Sequence, residues 1–242
     1  MKKVFAYIGS QSGENSNTAL VMTKILDNVI KLSNNKVKYD LYTAKGLNIE
    51  RCQGCNSCFF TGRCPLDEKY GDSMAQMKEK MLSADLIILG SPVYAHNVSG
   101  DMKTFIDRIT YWTHLLRLAG KTGCVISTSS GNGTTFVNNY LEKIMSQLGI
   151  KVIGKIFASW IQIDEIRNSR KMNKEIEEYS NIIFEYINGK KIESDELLES
   201  VFSAYKNSIK SFEKYPNAEY SFWKENGYLE CNSFSDLLNK FC

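Results

Sequence analysis

Residues 4–18 read Val-Phe-Ala-Tyr-Ile-Gly-Ser-Gln-Ser-Gly-Glu-Asn-Ser-Asn-Thr. A short apolar run, typical of a buried strand, opens into a polar loop, and a helical pattern begins directly after that loop. The N–H groups and hydroxyls of the loop, with the positive end of the helix behind it, suit one bound anion. The stretch contains neither Gly-x-Gly-x-x-Gly nor Gly-Lys-Ser/Thr, the fingerprints of dinucleotide and triphosphate sites. It therefore predicts a mononucleotide phosphate site held mainly by Ser and Thr, although a serine-rich helix cap without a ligand would have the same sequence.

The composition is that of a globular protein with a substantial core. Of the 242 residues, 43% are hydrophobic and 12% aromatic, enough for one large domain or one domain with an appendage. The 30 basic and 27 acidic residues are mixed along the chain and leave a net charge of +3, which argues against a nucleic-acid or membrane partner. The sequence contains no run long enough to span a membrane, and we expect a cytoplasmic protein without a signal peptide. Seven cysteines in such a chain indicate metal or redox chemistry more than disulfides.

Strand and helix patterns alternate through the first two thirds of the chain. Apolar or alternating runs predict strands at residues 3–8, 36–42, 85–90, 123–127 and 150–157. Helical spacing predicts helices at 17–32, 73–83, 102–109 and 135–148. Such alternation with short connections is typical of an α/β fold with a parallel sheet and helices on both faces. Ligands bind such sheets at the carboxyl ends of the strands, so we expect the polar loops 9–18, 91–100 and 128–133 to converge on one cleft.

The pattern changes beyond about residue 160. Two amphipathic helices are predicted at 175–187 and 194–212, and Tyr215-Pro216-Asn217 ends the second. We expect the aromatic residues that follow to be packing residues: Tyr220, Phe222, Trp223 and Tyr228. The predicted organisation is therefore a domain over 1–160, with a cysteine loop at 43–72, and a helical extension over 161–242. The extension would pack on the main domain or on a second subunit.

Four of the seven cysteines lie in one short loop. Residues 52–65 read Cys-Gln-Gly-Cys-Asn-Ser-Cys-Phe-Phe-Thr-Gly-Arg-Cys-Pro, a C-x2-C-x2-C-x5-C spacing. The first three cysteines have the spacing by which bacterial ferredoxins hold a [4Fe–4S] cluster, where the fourth ligand of the run serves another cluster. Here Gly62 in the longer gap would let the fourth cysteine return to the same cluster. The predicted ligands are Cys52, Cys55, Cys58 and Cys64, with zinc and an empty loop as alternatives.

The remaining cysteines and the histidines indicate no further site. Cys124 lies in an apolar strand and is predicted to be a core residue. Cys231 and Cys242 have no partner at ligand spacing. The two histidines, His96 and His114, do not complete a Ser-His-Asp or Cys-His arrangement, so hydrolase chemistry is poorly supported.

Three segments carry a resemblance to a known family. They are Gly9-Ser10 with Asn-Ser-Asn-Thr at 15–18, Ser-Pro-Val-Tyr at 91–94, and Lys-Thr-Phe-Ile-Asp-Arg at 103–108. Together they resemble the flavodoxin-like NAD(P)H-dependent FMN reductase family over about residues 1–160, and the cysteines make the chain similar to its iron–sulfur flavoprotein branch. The resemblance implies a doubly wound, five-stranded parallel sheet of order 2-1-3-4-5. It also implies FMN bound without a covalent link, in homodimers or homotetramers whose flavin sites lie near subunit contacts.

The resemblance also assigns cofactor-binding residues loop by loop. The FMN phosphate would be bound by Ser10, Ser16, Asn17 and Thr18. The isoalloxazine ring would be lined by Pro92, Val93 and Tyr94, and approached from the next loop by Thr128, Ser129, Gly131 and Gly133. Relatives often carry Pro-Arg where residues 11–13 read Gln-Ser-Gly, so we expect weaker charge compensation of the phosphate and modest affinity. An ordinary partly buried aromatic would also explain Tyr94, and Arg108 is interpreted as a structural or interface residue.

The expected function is that of an FMN-dependent oxidoreductase with NAD(P)H as electron donor. Electrons would pass to a quinone, a flavin or a similar small acceptor, with or without a [4Fe–4S] cluster. No catalytic side chain is assigned, because a flavin carries the reactivity itself. The alternatives are an FMN/[4Fe–4S] electron-transfer protein without small-molecule turnover, and a non-enzymatic fold with structural zinc.

Overall fold

A computed structural model describes residues 1–159 and 169–241, and in them five strands form one sheet. The strands are β1 (Lys2–Ile8), β2 (Val37–Thr43), β3 (Leu86–Pro92), β4 (Thr122–Ser129) and β5 (Lys151–Ser159). All neighbouring pairs are parallel and the order is β2-β1-β3-β4-β5. Each strand lies within two residues of its predicted bounds. The structure therefore confirms the flavodoxin-like doubly wound sheet, with β2 at the edge that its alternating sequence predicts.

Helices separate and follow these strands. Their bounds are α1 (Asn17–Leu32), α2 (Ser57–Thr61), α3 (Met74–Ser83), α4 (Gly100–Arg108), α5 (Thr110–His114), α6 (Thr134–Gln147), α7 (Arg170–Ile187), α8 (Glu196–Lys210), α9 (Ala218–Glu225) and α10 (Phe234–Leu238). Helix α2 lies inside the cysteine loop, where we expect no helix. Helix α7 begins five residues before its predicted start at residue 175.

The sheet separates two layers of core side chains. Residues of β1 alternate between the layers, as the two-residue period of a strand requires. Phe5 and Tyr7 pack with α3, α4 and α6, and Tyr7 stacks on Phe105 with ring centroids 4.1 Å apart. Ala6 and Ile8 pack on the other side, with α1 and α7. The fully buried thiol of Cys124 belongs to this second layer, which confirms it as a core residue.

The C-terminal helices pack onto this sheet domain. Helix α7 lies against α1 and β5, and the Ser180 hydroxyl is within 3.3 Å of the Ile25 carbonyl oxygen. Helices α8, α9 and α10 form a third apolar cluster in which Trp223 is fully buried and stacked on Phe202. The aromatic residues after the turn at 215–217 are thus packing residues, as expected. Helix α9 also contacts α2, which places the extension beside the cysteine loop.

Two sequence-based expectations lie outside the described residues. These are the predicted boundary at residue 160 and the unassigned Cys242. Within the part of the chain that the structure describes, every helix is too short or too polar to cross a lipid bilayer.

Candidate functional site at the carboxyl edge of the sheet

The loop after β1 combines hydroxyl groups with the N-terminus of α1. Ser10 is buried, and its Oγ accepts a hydrogen bond from the Ser12 N–H at 3.3 Å. Ser16 is the N-cap of α1, and its Oγ accepts from the Ala19 N–H at 3.1 Å. Because a hydroxyl has one proton besides its lone pairs, each serine keeps a proton to donate to an anion. Asn17 is the first residue of α1, at the positive end of the helix.

A basic side chain that sequence reasoning missed lies next to this loop. Lys45 follows the end of β2, and a Cβ placed on Gly13 would stand 3.1 Å from Lys45 Cδ. Gly13 has a φ of +60°, so a side chain at this position would be both strained and crowded. The pairing of β1 with β2 could have indicated that Lys45 lies near Gly13, because adjacent parallel strands end side by side.

The loops after β1 and β3 touch through Gly9 and Ser99. The Gly9 N–H donates to the Gly90 carbonyl at 3.0 Å, and the Ser99 hydroxyl donates to the Gly9 carbonyl. Ser99 Oγ also accepts from the Met102 N–H and so caps α4. A Cβ on Gly9 would lie 2.6 Å from Met102 Cβ, so only glycine allows this approach. Sequence reasoning missed Ser99, although a serine directly before a helix is the usual N-cap signal.

The loop after β3 begins with the predicted ring-lining residues. Pro92 ends β3, and the Val93 N–H donates to the Thr128 carbonyl at 2.8 Å. Tyr94 and Asn97 exchange two backbone hydrogen bonds of 2.9 and 3.0 Å. The two residues between them have left-handed φ values of 49° and 59°, the geometry of a type I′ hairpin turn usually made by Asn or Gly. They are Ala95 and His96.

This turn stores conformational strain beside an exposed aromatic side chain. The left-handed conformation costs an L-residue with a Cβ roughly 1–2 kcal/mol, and such strain is concentrated at ligand sites. Tyr94 is 57% exposed, which agrees with a partly buried aromatic residue and leaves its ring available for contact.

The loop after β4 is tied to both other loops. Thr128 Oγ1 and Thr18 Oγ1 lie 2.6 Å apart in a buried hydrogen bond. A Cβ on Gly133, whose φ is +92°, would lie 2.7 Å from Val93 Cγ1. The Ser129 hydroxyl donates to the Asn132 carbonyl at 2.7 Å and accepts from the Gly131 N–H at 3.1 Å, which closes the turn. The structure thus brings the three predicted loops together, with Thr18 and Thr128 used as the link between two of them.

The cysteine loop alternates cysteines with left-handed residues. Gly54, Asn56 and Gly62 have φ values of 66°, 58° and 72°, and each lies in one of the three intervals between successive cysteines. Gly62 ends α2, and its N–H donates to the Cys58 carbonyl at 3.0 Å. Helix α2 therefore ends before Cys64, and the return of Cys64 to the other three cysteines stays a prediction.

The four thiols share one neighbourhood. Burial raises the pKa of the Cys58 thiol, and the sulfurs of Cys64, Cys52 and Cys55 raise it further. Among the described residues, however, no three His, Cys, Asp or Glu side chains form a ready site for a metal ion. A zinc ion would draw its sulfurs to about 2.3 Å from one centre, whereas a cubane of four irons and four sulfides occupies a larger space between its ligands. The C-x2-C-x2-C-x5-C spacing, and not a preformed set of thiols, is therefore what favours a cluster over zinc.

Comparison with known proteins identifies the family. The sequence profile of the NADPH-dependent FMN reductases matches residues 2–162. The chain belongs to the NADPH-dependent FMN reductase family. It is 30% identical over 210 residues to an iron–sulfur flavoprotein of Archaeoglobus fulgidus, a stretch that covers 86% of this chain and 93% of that protein. An iron–sulfur flavoprotein of Methanocaldococcus jannaschii is 34% identical over 132 residues, 54% of this chain and 64% of that protein. These matches confirm the resemblance that the loop motifs predict.

Solved structures show the same fold. An apo NADH:FMN oxidoreductase superposes with a TM-score of 0.59 at 18% identity, over 80% of this chain and 92% of the other. An FMN-dependent NADH-azoreductase of Bacillus anthracis, solved with FMN, superposes with a TM-score of 0.60 at 16% identity, over 76% and 99%. Membership of the FMN reductase family makes this chain an oxidoreductase that works with FMN and a reduced nicotinamide.

In this FMN reductase family member the two ends of the cysteine loop are held together. We call residues 48–50 and 71–73 the neck of the loop. The Ser73 N–H donates to the Asn48 carbonyl at 2.8 Å, and the Asn48 N–H donates to Ser73 Oγ at 3.2 Å. The Glu50 N–H donates to Asp72 Oδ2 at 2.9 Å. Arg108 is buried against the neck and pairs with Asp72, which agrees with a structural role.

Proposed function

We propose that this protein is an FMN-dependent NAD(P)H oxidoreductase that passes electrons to a quinone, a flavin or a similar small acceptor. We further propose that it does so with a [4Fe–4S] cluster held by Cys52, Cys55, Cys58 and Cys64. The observation that carries the proposal is the junction of three polar loops at the carboxyl edge of the sheet. Backbone and hydroxyl hydrogen bonds connect these loops directly, in a family whose members reduce FMN.

The first loop supplies the proposed phosphate site. Ser10 and Ser16 each accept a backbone N–H, so their hydroxyl protons remain for phosphate oxygens. The amides of Asn17 and Thr18 add donors at the positive end of α1. Lys45 beside Gly13 adds positive charge, which offsets part of the deficit expected from the missing arginine.

The second and third loops supply the proposed ring site. Pro92 and Val93 present backbone held in place by the Thr128 carbonyl, and Tyr94 adds an exposed aromatic ring. Gly131 and Gly133 have no side chain, which at Gly133 lets the backbone of the third loop approach Val93 closely, and Ser129 closes the turn. Bound FMN supplies a ring that accepts hydride from the nicotinamide and releases electrons. Pro92, Val93 and Tyr94 would hold that ring, and the protein would need no acid or base of its own.

The cysteine loop supports the second half of the proposal. Burial and the sulfurs of the other three cysteines raise the pKa of the Cys58 thiol, and the Archaeoglobus fulgidus relative that spans most of the chain is named an iron–sulfur flavoprotein. A [4Fe–4S] cluster transfers electrons singly. Cys52 and Cys55 are exposed, which favours a second candidate function, electron transfer to a partner protein without small-molecule turnover. Acceptor assays with quinones, free flavin and azo dyes distinguish the two functions.

The spectrum of anaerobically purified protein tests the cofactor assignment. We expect flavin bands that bleach with NADH or NADPH, a broad absorption at longer wavelength, and about four irons and four sulfides per chain. The C58S variant should lose the broad absorption, iron and sulfide but keep the flavin. The C124A variant, which removes the buried core thiol, should keep all of them. A colourless protein contradicts the FMN assignment, and C58S protein with wild-type iron contradicts the ligand assignment.

We also propose that the protein is a cytoplasmic homodimer or homotetramer with no nucleic-acid or membrane partner. Several large aromatic side chains are exposed in the single chain: Phe60, Tyr70, Tyr94 and Phe136. Exposed aromatic residues are enriched at protein interfaces. Light scattering gives the subunit number, and a monomer at micromolar concentration contradicts the proposal.

A further inference from the structure

The Arg108 guanidinium joins both ends of the cysteine loop. Its side chain is fully buried, as is that of Asp72. One terminal nitrogen donates to the Glu50 carbonyl at 2.9 Å and to Asp72 Oδ2 at 2.6 Å. The other donates to Asp72 Oδ1 at 3.1 Å and to Asp67 Oδ1 at 2.8 Å. Glu50 precedes the first cysteine of the loop by two residues, and Asp67 follows the last by three, so this planar group spans the whole cysteine segment.

A second cation completes a buried network of four charges. Lys78 Nζ, on α3, lies 2.6 Å from Asp67 Oδ2 and 5.0 Å from the centre of the Tyr111 ring. The side chain of Lys78 is 7% exposed and that of Asp67 19%. Two cations and two carboxylates balance, so the network adds no net charge to its surroundings. The network therefore acts on the cysteine loop through the positions of its atoms and through single hydrogen-bond donors, and not through a net charge.

One donor of Arg108 is left over. A guanidinium has five N–H groups, and the four on its terminal nitrogens match the four hydrogen bonds above. The fifth, on Nε, is buried and finds no acceptor among the described residues. Leaving a buried donor unpaired is unfavourable, so an acceptor that the polypeptide does not itself provide is indicated. Cys64 is the predicted cluster ligand whose sulfur acts electrostatically on Arg108.

We propose that Arg108 is the positioning residue of the cysteine loop, with two roles. Its terminal N–H groups lock the neck, and its Nε–H donates to a sulfur of the iron–sulfur group that the four thiolates hold. The second role rests on the proposed function, because it needs the cluster. An N–H aimed at a sulfur favours the reduced cluster, which carries one more negative charge, so Arg108 should raise the cluster's reduction potential.

The R108K variant tests both roles. Lysine keeps the charge but presents one compact ammonium, which cannot reach Glu50, Asp67 and Asp72 in one plane and has no Nε–H. After identical iron–sulfur reconstitution we expect R108K to hold several-fold less iron than wild type. The cluster that does form should have a lower reduction potential and an altered electron paramagnetic resonance spectrum. Flavin content should remain at the wild-type level.

The K151M variant is the matched control. It removes a lysine that lies 2.6 Å from Asp195 in a partly buried pair, at the amino end of β5 and so away from the ligand loops. K151M should keep wild-type iron content and potential. If R108K does not fold, the D67N variant, which weakens the contacts of Asp67 with both Arg108 and Lys78 and leaves the Asp72 pair and the Nε–H in place, should hold less iron than wild type with an unchanged flavin content. An R108K cluster with wild-type potential and spectrum overturns the second role, as does a reduced wild-type cluster whose electron–nuclear double resonance spectrum shows no coupling to 15N-labelled arginine. Folded D67N protein with wild-type iron content contradicts the locking role.

Hydrogen exchange of the metal-free protein separates this inference from the proposed function. The Glu50 and Ser73 amides form neck hydrogen bonds, and we expect them to exchange at least tenfold faster in R108K than in wild type or K151M. If wild-type protein takes up no iron, the proposed cluster and the second role fail together, while this exchange rate still decides the first. Unchanged exchange in metal-free R108K overturns the locking role.

Discussion

At the scale of single residues, the proposed phosphate site depends on serine hydroxyls. Each accepts a hydrogen bond from a backbone N–H, which fixes its position, and keeps its own proton to donate to the phosphate. Ser10 is the clearest case, because the Ser12 N–H donates to its Oγ and fixes it in place. A hydrogen bond to a charged group contributes about 1.5–3 kcal/mol. We therefore expect S10A to weaken FMN binding by about tenfold or more, measured as quenching of FMN fluorescence during titration of the apoprotein.

The control for S10A is S83A, which removes a hydroxyl that donates to the Lys80 carbonyl at the end of α3. S83A should bind FMN as tightly as wild type. Equal affinity of S10A and wild type would place the phosphate away from this loop. Ser16 is less informative as a test, because it also caps α1 and its loss costs helix stability of about 1 kcal/mol.

Residue types in this loop could be predicted from the sequence, but their partners could not. Ser, Asn and Thr before a helix indicate an anion site through local chemistry alone. Lys45 and Ser99 reach the loop from the segments that follow β2 and β3, and the hydrogen bond between Thr18 and Thr128 joins residues 110 positions apart. Such neighbours follow from the order of strands in the sheet, which the loop sequence does not contain.

At the scale of elements, the neck of the cysteine loop depends on an ionised carboxylate. Burial alone would raise the pKa of Asp72. Hydrogen bonds from Arg108, the Glu50 N–H and the Met74 N–H together have the larger, opposite effect, so the pKa lies below its ordinary 3.8. A carboxyl whose pKa is lowered in the folded state contributes stability that is present above pH 3.8. That stability is lost as the pH falls through the lower, folded-state pKa. We expect D72N to reduce the free energy of unfolding by about 1.5–3 kcal/mol at pH 7.

The pH series is the decisive measurement for D72N. Urea denaturation should show the difference from wild type narrowing below pH 3.8, as wild-type Asp72 also loses its charge. The control is D40N, because Asp40 pairs with Lys80 at 3.1 Å on the surface and exposed pairs contribute at most about 1 kcal/mol. A difference for D72N that stays constant down to pH 2 would mean that the carboxylate charge does not stabilise the neck.

Elements with a regular period could be predicted, and those without one could not. The five strands follow from apolar runs bounded by turn residues, and all five are present. Helix α2 has five residues between cysteines, too few to show helical periodicity. The clustering of Asp67, Asp72 and Arg108 could not be predicted either, since the three are joined only by tertiary packing.

At the scale of the whole molecule, the C-terminal extension covers the flank of the sheet domain that carries the cysteine loop. Amphipathic helices could be predicted there, but the surface they cover could not, because an apolar stripe does not specify its partner. The structure supplies that partner through Trp223, whose Nε1–H donates to the His114 carbonyl at 2.8 Å. The adjacent His114 and Phe59 rings are 5.1 Å apart, which continues the contact into α2.

Trp223 should therefore stabilise both the extension and the cysteine loop. Truncation of a fully buried Trp costs about 3–5 kcal/mol, so we expect W223A to lose that much free energy of unfolding in urea. Because α9 contacts α2, W223A should also be cleaved faster by protease within residues 57–64. Tyr215 is 85% exposed, and Y215A should change neither quantity. If W223A is destabilised while cleavage of the cysteine loop stays at the wild-type rate, the extension stabilises only itself, and its contact with α2 contributes nothing to the order of the loop.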